Sequence, residues 1–191
     1  MKLILASNSP RRKELLERDG FIFDVAKSDA KEIVDASPIV TAEKNAEAKA
    51  EDIFNGLKEK SDTCILSADT VVYFNGEILG KPKDEEDAFN MLKKLSGNAH
   101  YVITGFCVKT DKEKIVASDQ SIVYFNNLSD DFIREYIKTG SPLDKAGAYG
   151  IQDQNGIVSS LIGSFDNVMG LPTEAIAPIL YRILAGKNFE L

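Results

Sequence analysis

The chain has 191 residues, a formal net charge of −7, 43% apolar and 28% charged residues. That length and apolar content are enough for one sizeable packed core. No run approaches a membrane span, and the acidic balance argues against non-specific nucleic-acid binding. An anionic small molecule stays open, because a local basic cluster can hold one inside an acidic protein. Cys64 and Cys107 lie in apolar β-like runs without zinc-ligand spacing and read as buried free thiols, which fits a reducing cytoplasm. Met1-Lys2 leads straight into the first apolar run, with no signal-peptide pattern.

In chain order, Leu3 to Ala6 reads as a short buried strand. It breaks into small polar residues, and Ser9-Pro10 reads as an N-cap with proline at the first helical position. Leu15 and Leu16 give that helix an apolar side, and Gly20 suits its end. Phe21, Phe23 and Val25 alternate, predicting a second strand over 21–26. Ser37-Pro38 repeats the cap and predicts a helix from Ile39 to about Lys58. A strand from Cys64 runs through Asp69 to Phe74, and Asn75-Gly76 predicts a hairpin returning through Glu77-Ile78-Leu79. Asp84 caps a helix that Gly97 stops. Strands follow at roughly 101–109 and 114–125, then a helix from Ser129 to Lys138 closed by Gly140. The stretch 141–172 is rich in glycine and turn residues, with a strand near Ile157–Leu161. A last helix starts near Pro172-Thr173, and Pro178 should kink it or mark its true start. With no repeat and no linker, the reading is one domain over 1–191 with a mixed sheet, which the Asn-Gly hairpin keeps from being purely parallel.

The first helix start carries Arg11 and Arg12 on its opening turn. Backbone N–H groups, the helix dipole and guanidinium forks favour an anion there, phosphate above all. Phosphoryl chemistry also needs carboxylates for a hard metal and a base for water. Ser7, Ser9, Arg11 and Arg12 could cradle phosphate, Lys49 and Lys81 could add charge, and Glu32 and Asp69 could hold Mg²⁺ or Mn²⁺. Each has a plainer reading: Arg-Arg, Lys49 and Glu32 as solvated surface charges, Asp69-Thr70 as a strand-end turn. His100, the single histidine, has no nucleophile elbow beside it and reads as structural. The stretch Ala146–Gln152 matches neither the P-loop nor the dinucleotide fingerprint.

Seven segments in order now matter together: Leu5–Arg12, Ala68–Val72, Gly80-Lys81-Pro82, Leu95–His100, Thr104-Gly105, Asp144–Gln152 and Asn167–Pro172. Each is weak alone, but in this order and spacing the chain resembles the Maf family of nucleotide pyrophosphatases over almost its whole length. The resemblance implies an α/β fold: a single elongated domain, a twisted mixed β-sheet flanked by helices, and a central cleft, related to the inosine triphosphate pyrophosphatases. It implies metal-dependent hydrolysis of a nucleoside triphosphate to the monophosphate and pyrophosphate in the cytoplasm, as house-cleaning of nucleotide pools, with Mg²⁺ or Mn²⁺ as cofactor. Asp69 would activate water and share the metal with Glu32, for which Asp29 or Asp35 could substitute. Ser7, Arg12, Lys49 and Lys81 would handle phosphate. The implied partner is the nucleotide, with no nucleic acid and no membrane, and the implied assembly is a homodimer, which nothing in the composition demands.

Within that resemblance, Arg11, Thr70 and Gln152 match the branch acting on dTTP and UTP rather than the one acting on methylated GTP. A pyrimidine with two carbonyls presents acceptors around one N–H, which Arg11, Thr70 and Gln152 can meet. One departure stands out: family members usually have glycine after the Ile-Gln pair, whereas Asp153 follows Gln152 here. Two rivals keep the same motifs: a non-catalytic nucleotide-binding regulator of cell division and septum formation, and a pyrophosphatase for inosine or xanthosine triphosphate.

Overall fold

The computed structural model describes residues 1–153 and 156–185. The longest strands carry apolar side chains on both faces because helices cover both. Strand β1 (Lys2–Leu5) lies between β2 (Asp24–Val25) and β3 (Thr63–Phe74), parallel to each. On its other side β3 runs antiparallel to β5 (Ala99–Lys109), which pairs in turn with β6 (Lys114–Phe125) and then β7 (Val158–Ile162). The far end of β3 folds back into β4 (Glu77–Leu79) through Asn75 and Gly76, whose φ values of 48° and 86° are those of a type I′ turn. The sheet is therefore mixed and seven-stranded.

This topology opens the cleft. Along one edge, β3 pairs with β1 only as far as Leu66 and with β4 only from Val72 onward. Among the described residues no strand fills the gap between, and Asp69 and Thr70 sit in it, mid-strand. The plainer expectation of a strand-end turn at Asp69 does not hold.

The period of two then sorts side chains by face. Leu3, Leu5, Leu66 and Phe106 pack with α1 (Pro10–Arg18) and α6 (Thr173–Leu184). Ile4, Ile65 and Cys107 face the other way, against Ala46, Ala50 and Phe54 of α2 (Pro38–Gly56). A further core joins Val72, Val102 and Val123 to α3 (Glu85–Leu95) and α4 (Asp130–Lys138). A short helix, α5 (Phe165–Met169), precedes α6.

Some local expectations need correction. Ser9 holds the cap position of α1 without a side-chain capping bond; its amide instead donates to Ser7 Oγ at 3.2 Å. The second strand shrinks to two residues, because only Asp24 and Val25 find partners on β1. Pro178 neither starts α6 nor ends it: the helix begins at Thr173 and runs past it to Leu184. Helix α5 was hidden in the turn-rich stretch by its five-residue length, too short for periodicity to show.

Both thiols are buried, and burial pushes each up to about 12. His100 is buried too, its Nε2 paired with the Tyr149 hydroxyl at 2.7 Å and its ring packed edge-on against Phe125 and Tyr149. Burial pulls its pKa from 6.5 down to about 4. Between those values the unfolded chain binds a proton that the folded one does not, so stability falls as pH drops from 6.5 toward 4. The expected loss is of order 3 kcal/mol. Denaturant unfolding of His100→Gln across this range should show a flatter dependence; a slope identical to wild type would overturn the assignment.

Candidate active site

The cleft, about 580 Å³, is walled by the β1–α1 turn, β3, α2, the Glu32 segment and the loop before β7. That is ample for a nucleotide-sized ligand. Ser7, Arg11, Arg12, Glu32, Lys49, Asp69, Thr70, Lys81 and Gln152 all line it, as does Ser9. Asp29 and Asp35 do not: Asp29 turns its amide to Asp52, and Asp35 caps the approach to α2 and faces Lys44.

Asp69 and Thr70 are neighbours on β3, so they project to opposite faces. On the α2 face, Lys49 Nζ sits between two carboxylates, 2.6 Å from Asp69 Oδ1 and 2.7 Å from Glu32 Oε1. The lysine is only 15% exposed, which rules out a solvated helix face. Asn45, one turn earlier, donates to Asp69 Oδ2 at 3.1 Å and ties down the Glu32 segment by bonding both main-chain groups of Ile33. Partial desolvation alone would raise the Glu32 carboxyl, but the bond and charge of Lys49, aided by Lys81 and Arg12, hold it below its ordinary value.

Opposite, Arg12 is gripped on three sides. Nε donates to Gly170 O at 2.7 Å, Nη1 to Ser7 Oγ at 3.2 Å and Nη2 to Thr70 Oγ1 at 3.1 Å. Two of its five N–H groups remain for a ligand. Burial lowers its pKa, Asp69 opposing, and a guanidinium stays charged regardless. Thr104 donates to Asn167 O at 2.8 Å, so the 3.0 Å contact between the threonine hydroxyls carries the proton of Thr70. Thr70 thus supports Arg12 as well as facing the cleft. Gly170, at φ 105°, lies where a Cβ would come within 3.1 Å of Thr70 Oγ1 and 3.4 Å of Arg12 Nε. The far end of α1 is clamped by Arg18, whose guanidinium bonds both oxygens of Asp166.

Sequence reasoning missed Asn45, Thr104 and Asn167. A signal for the first existed: Thr41, Asn45 and Lys49 recur every fourth residue beside the alanines of α2, and Thr41 and Asn45 are buried. Thr104 and Asn167 stand in two of the matching segments, but nothing local in the sequence assigned either a role.

Two carboxylates that converge on one ammonium make a suitable donor set for a hard divalent cation, which usually takes one or two carboxylates and completes its shell with phosphate oxygens and water. Among the described residues no cluster of three acidic, histidine or cysteine side chains forms. Glu32 and Asp69 thus fit a metal that arrives with a phosphorylated ligand.

Residues 2–183 match the family model described as Maf-like protein. The chain belongs to the Maf family. Proteins named "dTTP/UTP pyrophosphatase" from Caldicellulosiruptor saccharolyticus and Aquifex aeolicus are 46% and 43% identical to it. The first alignment covers 95% of this chain and 94% of the relative, the second 97% and 98%. The fold also resembles the structure of the Staphylococcus aureus Ham1 protein, with a TM-score of 0.53, 17% identity, and coverage of 98% of this chain and all of that one. This Maf-family chain therefore has the mixed-sheet α/β fold expected of it. No helix among its described residues is long and apolar enough to cross a membrane.

Proposed function

We propose that this chain hydrolyses dTTP and UTP to the nucleoside monophosphate and pyrophosphate. The observation that carries the reading is the Lys49 ammonium between Glu32 and Asp69, facing an arginine-lined helix start across one cleft. The names of the relatives point the same way. Ser7, Arg12 and Lys81 bind the phosphate chain, Arg12 through its two spare N–H groups and Ser7 through its hydroxyl. Arg11, Thr70 and Gln152 meet the base.

Water attacks the α-phosphorus, its oxygen stays on the monophosphate, and the bond from that phosphorus to the α–β bridging oxygen breaks, so pyrophosphate leaves with the bridging oxygen. Asp69 takes the proton of that water; a carboxylate can accept more bonds than the two it now makes, to Lys49 and Asn45. Lys49 and Arg12 balance charge that builds on the phosphates. Glu32 and Asp69 would hold Mg²⁺ or Mn²⁺, which supplies further charge neutralisation when bound.

The test is a nucleotide panel with either metal, reading pyrophosphate. Release scaling with protein, abolished by chelator and fastest for dTTP and UTP is the expected result. A preference for methylated GTP, or for inosine or xanthosine triphosphate, would overturn the substrate assignment. Nucleotide binding without any release would overturn the enzyme reading.

A further inference from the structure

Arg11 and Gln152 stand far apart in the chain, yet one string of charges runs from the first to the turn that carries the second. Arg11 Nη1 lies 3.4 Å from Asp144 Oδ2. Asp144 Oδ1 accepts from Lys145 Nζ at 2.9 Å, and that ammonium also meets Ser141 O, Ser141 Oγ and, at 3.3 Å, Asp153 Oδ2. Asp153 Oδ2 accepts from the Tyr136 hydroxyl at 2.7 Å and from Ser141 Oγ at 2.6 Å. Charges alternate along the string: Arg11, Asp144, Lys145, Asp153.

The turn bearing Gln152 is folded around the last of these carboxylates. The Asp153 amide closes the turn on Gly150 O, and the Gly150 amide donates to the same Tyr136 hydroxyl. A Cβ on Gly150 would fall 2.7–2.8 Å from the Asp153 carboxylate group, so that group occupies the space above the glycine. Burial would raise both acids; Lys145 and then Arg11 hold Asp144 low, and Ser141, Tyr136 and Lys145 hold Asp153 low. Lys145 is itself buried. A buried lysine with two carboxylates adds little stability over apolar packing, because desolvation offsets the attraction. Holding two distant side chains in register is a role that apolar residues could not fill.

We propose that Asp144 and Asp153, linked by Lys145, are positioning residues for base selection: Asp144 aims Arg11, and Asp153 sets the turn that presents Gln152. The proposal rests on the reading of Arg11 and Gln152 as base-facing.

Asp144→Asn and Asp153→Asn are the test, each checked for folding by its melting curve. KM for dTTP and UTP should rise about tenfold with kcat within about twofold, the size expected from losing one charge-assisted bond. Preference over CTP, which carries an amino group in place of one carbonyl, should shrink by a similar factor. Competitive inhibition by inorganic tripolyphosphate, which has no base, should not change. In an Arg11→Ala background, Asp144→Asn should lose most of its effect on KM. Unchanged KM and preference in both variants, or fully additive effects in that background, would overturn the proposal. Should Asp153→Asn fail to fold, Asp144→Asn decides alone, because that carboxylate is half-exposed. A wild-type protein with no preference over CTP would instead overturn the base-facing reading beneath it.

Discussion

Asp69→Asn is expected to lower turnover of dTTP and UTP by about a thousandfold, within the range a positioned general base supplies. The amide matches the carboxylate in shape but cannot take a proton from water. It also removes one of the two anions on Lys49, which keeps Glu32 at 2.7 Å. Because that second partner remains and the strand is paired with β5 throughout this region, the melting temperature should shift by only a few degrees. Pyrophosphate release at saturating metal is the measurement. Turnover near wild type would remove Asp69 from the role of base and pass it to another group at the cleft.

Gly105→Ala is expected to cost about 3 kcal/mol, and roughly 10 °C in melting temperature for a chain of this size. Gly105 is the direct β5 partner of Asp69. A Cβ there would fall within 2.5 Å of Ala42 O and Glu43 N, atoms of the α2 backbone that cannot turn aside. Its need for glycine is one of contact, since its φ is not in the left-handed region. The missing side chain lets α2 lie directly on the sheet, and that contact brings Asn45 and Lys49 within bonding distance of Asp69. Lifting the helix should therefore reduce activity along with stability. Gly56→Ala, at the end of the same helix with open space around it, serves as the control and should be near neutral. Equal melting temperatures for the two variants would refute the contact argument.

The amino-acid sequence determined a good deal by itself, through rules that act over a few residues. The Ser-Pro starts of α1 and α2, the type I′ hairpin at Asn75-Gly76 and the glycine stops after α3 and α4 follow from local backbone preference. The apolar residues on either side of Asp69 foretold a strand from Cys64 to Phe74. The cleft-lining residues could be named because their motifs occur in a characteristic order, although the local pattern alone left Lys49 and Glu32 as ordinary surface charges.

Tertiary structure alone decided what those residues do to one another. That Thr70 supports Arg12, that Asn45 fixes both Asp69 and the Glu32 segment, and that Lys49 is shared by two acids are contacts across 12 to 58 positions of chain. That Glu32 lines the cleft while Asp29 and Asp35 do not is of the same kind, since all three are acids in one polar loop. That placement follows from which backbone groups Asn45 and Thr41 bind on a helix that folds over that loop. Side-chain partners of this sort depend on distances between elements. Those distances are set by packing, here by a glycine that lets α2 touch the sheet, and no local preference encodes them.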